Sequence, residues 1–155
     1  MKNKIKVLVT GGAGYVGSAT VRHLLAKNYE VYVIDNLMQG GEGASSFIGY
    51  PGYYFIKGDI NDEKLLSELI KKVDYVVHLA AIVGEGACKK DPDLTKKTNI
   101  EATKKIINLS SENNIKRIIF FSTCSSYGVQ DINVMATENS PLNPVSLYAE
   151  SKIFM

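Results

Sequence analysis

The 155 residues are one domain's worth of chain, enough for a sizeable core, and 45% hydrophobic with 22% charged residues is ordinary for a soluble globular protein. A formal charge of +2 gives no electrostatic footprint for nucleic acid, and no apolar run approaches the ~20 residues of a membrane span. Cys88 and Cys124 have neither metal-ligand spacing nor a disulfide pattern, and the N-terminus enters an apolar run without a cleavable signal, so a cytoplasmic protein is expected.

The first run, IKVLVT at 5–10, has the composition of a fully buried parallel strand. It feeds TGGAGYVGS. Gly11, Gly14 and Gly17 are spaced G-x-x-G-x-x-G, while Gly12, Gly14 and Gly17 satisfy G-x-G-x-x-G, and the sequence leaves the register of the turn open. Either register allows positive φ, admits a pyrophosphate to backbone N–H groups and packs a helix close to the strand. That helix is expected over 18–27, with Val21, Leu24 and Leu25 facing inward, His23 as a surface or packing residue rather than a ligand, and Asn28 as its stop. The second strand, EVYVID, ends at Asp35, 18 positions after Gly17. A carboxylate there, near the ~20 of the dinucleotide fingerprint, accepts from the adenosine ribose and repels a 2′-phosphate, which predicts NAD rather than NADP.

Residues 37–51 hold Gly40, Gly41, Gly43 and Gly49 without a period and read as a mobile loop with at most a short helix, beside the adenosine end of a bound cofactor. A third strand spans 53–56 and ends at Gly58-Asp59-Ile60, where Asp59 either accepts from an adenine amino group or begins the next helix. A helix is predicted over 61–72 and a fourth strand over 74–79, DYVVHL, with His78 as a satisfied core histidine. The small Ala80 and Ala81 leave room for a cofactor to cross the carboxyl edge of the sheet. Residues 82–92 read as a loop and 94–113 as one long helix, whose Asn99 must find partners or cost ~1–3 kcal/mol, so it is a structural bridge or part of a site. The fifth strand, RIIFF at 117–121, runs into the hydroxyl cluster STCSSYG, and a loop over 129–143 leads to SLYAESKIFM. Strands alternating with helices predict a doubly wound α/β fold with a parallel sheet ordered 3-2-1-4-5.

Tyr148 and Lys152 are four residues apart, one turn along a helix face. A phenol with its ordinary pKa of ~10 is a poor base at neutrality, but a neighbouring ammonium and an oxidised nicotinamide both stabilise phenolate. Lowering the pKa by about three units needs ~4 kcal/mol, attainable beside two cations in a partly desolvated pocket. Such a pair could take a proton from an alcohol as its carbon gives up hydride. Alone, Tyr and Lys at this spacing are usually an exposed helix pair.

The segments TGGAGYVGS, VIDNL, KGDI, HLAA, TNIEAT, FSTCSSYG and YAESK, in this order across the whole chain, resemble the extended short-chain dehydrogenase/reductase family. The likeness is to its nucleotide-sugar epimerases of the UDP-glucose 4-epimerase type. The resemblance implies a Rossmann fold over 1–155, tightly held NAD and epimerisation of a nucleotide sugar through a transient 4-keto intermediate. It implies Tyr148 as acid/base, Lys152 as the ribose-binding residue that lowers the phenol's pKa, and Thr123 as the hydrogen-bond partner of the reacting hydroxyl. Cofactor contacts are implied for Gly11, Gly14, Tyr15, Val16, Gly17, Asp35, Asn36, Asp59, Ile60, Leu79, Ala80, Ala81 and Asn99, with Tyr148 and Lys152. Ser122 and Cys124 are assigned to packing. Cys124 and Ser125 stand where 4,6-dehydratases of the family carry an acid, which ranks a dehydratase or reductase second. A non-catalytic NAD-sensing protein would not need Thr123, Tyr148 and Lys152 together. Relatives continue for roughly another domain that completes the sheet and binds the sugar, so a fragment ending inside a helix at Ile153-Phe154-Met155 is expected, with β-strand five as an unnatural edge and a homodimer as the default assembly.

Overall fold

The computed structural model describes residues 4–131, 133 and 135–153, so Phe154 and Met155 of the expected terminal helix lie outside the described residues. The chain divides into two compact units. One comprises the residues up to Ala80 together with Ala102–Phe120, the other Ala81–Glu101 together with the residues from Phe121 onward.

The first unit is a doubly wound α/β layer around five strands: β1 (Lys6–Thr10), β2 (Glu30–Asp35), β3 (Tyr53–Lys57), β4 (Tyr75–His78) and β5 (Arg117–Phe120). They are ordered β3-β2-β1-β4-β5 and every pair is parallel, as the sequence predicts. Valines and leucines alternate between the faces because successive side chains on a strand point to opposite sides. Leu8, Ile34 and Val76 pack on one face with Leu66, Leu69 and Ile70 of α3 (Glu63–Ile70) and Ile106 of α6 (Ala102–Glu112). Val7, Val9, Val31, Val33 and Val77 pack on the other with Val21 and Leu25 of α1 (Tyr15–Ala26). Burying each of these side chains is worth about 1.5–3 kcal/mol, so both faces contribute. Ile118 joins the first face, whereas Ile119 is 50% exposed. β5 is therefore a half-exposed edge strand.

Local signals set the element ends. Asp74 opens β4 by accepting from Lys6 N at 2.9 Å and from Lys116 Nζ at 2.7 Å, and the hydrogen bond from Lys116 holds its carboxyl below the ordinary 3.8. Helix α1 starts at Tyr15, three residues earlier than the periodicity predicts, because Gly17 lies inside its first turn. Asn28 ends it with φ of 63°, the left-handed conformation that Asn tolerates. Asp62, accepting from Leu65 N at 3.0 Å, caps α3, so the helix-starting role considered for Asp59 belongs to Asp62. Within 37–51 the short helix is α2 (Glu42–Ser45).

The second unit holds α4 (Glu85–Lys90), α5 (Pro92–Thr95), a wide π-type stretch (Lys96–Glu101), a 3₁₀ turn (Cys124–Tyr127) and α7 (Leu147–Ile153). Two expectations are corrected. Residues 82–92 are not all loop, since Gly84 at φ 87° turns the chain into α4. The expected uniform helix over 94–113 begins at Pro92, capped by Asp91, and passes through the wide stretch before α6. Helix α7 packs on α4, α5, the wide stretch and the 3₁₀ turn.

Candidate functional site

The glycine turn follows β1 directly. Gly11 has φ of 71°, and a Cβ there would lie 2.7 Å from Ala80 N. A Cβ on Gly17 would run into Gly11 O and the Gly12 backbone. Gly11, Gly14 and Gly17 thus form the turn. Gly12 serves packing instead, since its Cβ would meet Val33 Cγ1 at 2.6 Å. The first bond of α1 runs from Ser18 N to Gly14 O at 2.8 Å, so the amides of Tyr15, Val16 and Gly17 precede the helical ladder and carry the positive end of the dipole.

Gly14 tests whether this turn suits a dinucleotide. Its Cβ would meet only Gly11 O, at an ordinary 3.4 Å, so protein packing does not demand glycine there. A ligand approaching closely would, and the amides beyond it suit a pyrophosphate. Asp35 braces the same turn: Oδ2 accepts from Ala13 N at 3.0 Å and Oδ1 from Leu37 N at 2.8 Å, and each oxygen keeps a second lone pair that a ribose hydroxyl fits. Asn36 Nδ2 donates to Asp59 Oδ2 at 3.1 Å, and Asp59 Oδ1 accepts from Asn61 N at 2.8 Å, joining the tips of β2 and β3. Ile60 is buried, Leu79 and Ala80 half-buried. The residues present fit NAD.

The second unit gathers Ala81, Asn99, Thr123, Tyr148 and Lys152. Asn99 is the bridge. Its Oδ1 accepts from Ile82 N at 2.8 Å, and its Nδ2 donates to Ile82 O at 2.9 Å and Ser151 Oγ at 3.0 Å. Ser151 Oγ donates in turn to Tyr148 O at 2.7 Å, so the α7 turn carrying Tyr148 and Lys152 is tied through one amide to the Ile82 peptide. The π-type stretch around Asn99 is the kind of helical irregularity that frequently accompanies functional positions. Thr123 caps the 3₁₀ turn, with Oγ1 accepting from Ser125 N and donating to Ser125 Oγ, both at 3.3 Å. Bonds this long are easily exchanged for a ligand hydroxyl.

Tyr148 is half-buried and Lys152 only 6% exposed, which is not the exposed helix pair of the bland expectation. Burial pushes the Lys152 ammonium below its ordinary 10.5, partly offset by the Cys88 sulfur beside it. Above that ordinary value both folded and unfolded states are neutral; as pH falls, the unfolded chain takes up the proton first, so stability is lost down to the folded pKa and stays lower beneath it. Lys152→Met should therefore raise the melting temperature at pH 7 and reduce the stability gained as pH rises toward the ordinary lysine value, as read by scanning calorimetry. A lower melting temperature at pH 7 would contradict the burial penalty.

Two packing assignments are corrected. Cys124 is exposed and Cys88 is the fully buried thiol. Ser122 is also exposed, its Oγ reaching Lys152 O at 3.4 Å. Ser151 escaped the sequence reading, its signal being a small polar residue beside Lys152 on a helix, and Cys88 was read only for its spacing.

A parallel sheet ordered 3-2-1-4-5, a glycine turn opening α1 and a Tyr/Lys helix define a Rossmann protein of the extended short-chain dehydrogenase/reductase class. The chain belongs to the NAD dependent epimerase/dehydratase family, whose model matches residues 7–155. It is 37% identical over 151 residues to the UDP-glucose 4-epimerase of Halalkalibacterium halodurans, covering 95% of this chain and 43% of that protein. Among solved structures, the UDP-Glc/GlcNAc 4-epimerase of Campylobacter jejuni matches with a TM-score of 0.89 at 30% identity, covering 97% of this chain and 46% of that one. The dTDP-glucose 4,6-dehydratase of Streptomyces venezuelae, solved with NAD, matches with a TM-score of 0.89 at 35% identity, covering 97% and 49%. The chain thus spans about half the length of the relatives it matches.

Proposed function

We propose that this chain is the cofactor-binding and proton-transfer portion of an NAD-dependent nucleotide-sugar 4-epimerase. The observation that supports it most is a buried Lys152 one turn from Tyr148 on α7, in the same unit as the Thr123 turn. Bound NAD supplies the hydride acceptor and later the donor. Thr123 holds the sugar C4 hydroxyl, and Tyr148 removes its proton and returns it. Lys152, one turn further along α7, is the residue that would hold the nicotinamide ribose. Asn99 and Ser151 hold that helix turn in place. Gly11, Gly14, Tyr15, Val16 and Gly17 receive the pyrophosphate; Asp35, Asn36, Asp59 and Ile60 the adenosine; Leu79, Ala80 and Ala81 the remainder.

The dehydratase reading is disfavoured because Cys124 and Ser125 follow Thr123, with no acid to expel water. The rival sensor reading leaves the buried Lys152 without a purpose. Among the described residues no helix is long and apolar enough to cross a membrane, and the compartment proposed is the cytoplasm, with a homodimer as the assembly. The test is to incubate the full-length protein with NAD and a panel of nucleotide sugars beginning with UDP-glucose. Interconversion of C4 epimers without net NADH is expected; a stable keto product, or NAD binding without turnover of any sugar, would overturn the reading.

A further inference from the structure

A buried hydrogen-bond chain ends β4, and its donors can be assigned by elimination. Thr10 Oγ1 accepts from Ala80 N at 3.2 Å and from Leu79 N at 3.2 Å, the latter N–H being shared with Thr10 O at 3.1 Å. With Leu79 N and Ala80 N both directed at its oxygen, the Thr10 hydroxyl is assigned as the donor to His78 Nδ1, 2.6 Å away. The imidazole is then the Nε2–H tautomer, donating to Thr103 Oγ1 at 2.8 Å. All three side chains are buried.

The β1–β4 ladder does not require this chain, since the main chains already pair up to Thr10 and His78. What the side chains add is control of Leu79 and Ala80, the residues just past the last strand position. Ala80 is also the residue whose backbone Gly11 abuts, and Thr10 immediately precedes Gly11. The pyrophosphate turn and the end of β4 are therefore set against each other through Thr10, whose hydroxyl pairs with His78 Nδ1.

We infer that His78 is a positioning residue for the dinucleotide: through Thr10 it fixes the Leu79–Ala80 peptides against the Gly11 turn, where the half of NAD beyond its adenosine is received. This rests on the cofactor reading above. The adenosine end, at Asp35 and Asp59, is held from the tips of β2 and β3 and meets the turn through Ala13 N, not through Thr10 or His78.

The two ring nitrogens can be tested separately. His78→Asn keeps an acceptor near the Nδ1 position and loses the bond to Thr103; His78→Gln keeps a donor near the Nε2 position and loses the bond from Thr10. Titration of the 155-residue chain with NAD and with AMP should leave His78→Asn within threefold of wild type for NAD, while His78→Gln binds NAD about tenfold more weakly. AMP affinity should stay within twofold in both. In wild type, ¹⁵N chemical shifts should report protonated Nε2 and unprotonated Nδ1, a measurement that needs no variant. Equal NAD affinity in the two variants, parallel loss of AMP and NAD, or an Nδ1–H tautomer would each overturn the inference. No NAD uptake by the wild-type chain would instead sink the cofactor reading on which it stands.

Discussion

Tyr148→Phe should lower turnover of the full-length protein by about a thousandfold, within the range that a positioned acid/base supplies, while NAD affinity stays within a fewfold of wild type. The substitution deletes one oxygen and keeps the ring. Tyr148 is half-buried on α7, and its backbone carbonyl accepts from Ser151 Oγ, a bond that the variant leaves intact. The helix should therefore hold its place, and the loss should fall on kcat rather than KM. Steady-state rates and NAD titration together are the measurement. Activity within tenfold of wild type would remove Tyr148 from the chemistry; equal loss of turnover and NAD affinity would mean that the side chain matters for binding alone.

Gly17→Ala should weaken NAD binding at least a hundredfold and lower stability by about 3 kcal/mol or more. The added methyl would run into Gly11 O and the Gly12 backbone, neither of which can move aside as a flexible side chain does. Relief requires α1 to lift from the turn, which carries the Tyr15 and Val16 amides away from the pyrophosphate and loosens Val21 and Leu25 from the sheet. Gly14→Ala is the control: its Cβ meets only Gly11 O at 3.4 Å, so it should cost little stability and yet block the ligand's approach. Calorimetry beside NAD titration separates the two. Similar stability loss at both positions would refute the distinct roles assigned to Gly14 and Gly17.

Strand order was readable from the sequence because alternating apolar runs and helical spacing leave few topologies for a doubly wound sheet. The ends of elements were less so. Helix α1 begins at Tyr15 because a close backbone approach at Gly17 overrides glycine's poor helix propensity, and no periodicity records that contact. The same limit applied to α4, where Gly84 and Gly86 read as loop although the chain coils over Glu85–Lys90. For the site, the residue types at Asp35, Tyr148 and Lys152 were visible, while the partners of Asn99 were not. A hydrogen bond to Ser151, 52 positions away, follows from tertiary placement and leaves no local pattern. Thr10 was passed over for a similar reason: a hydroxyl closing an apolar strand announces nothing until its acceptor is known.

The division of the chain between the units bears on biosynthesis. β5, the last of the described strands, ends at Phe120, so every described residue of the first unit is translated before Thr123, Tyr148 or Lys152. A ribosome adding about 5–20 residues per second delivers Ser151 only seconds after Asn99, and during that interval the Asn99 amide has no α7 to hold. A nascent polypeptide thus has its five-stranded sheet fully synthesised before the helix that carries Tyr148 and Lys152 follows.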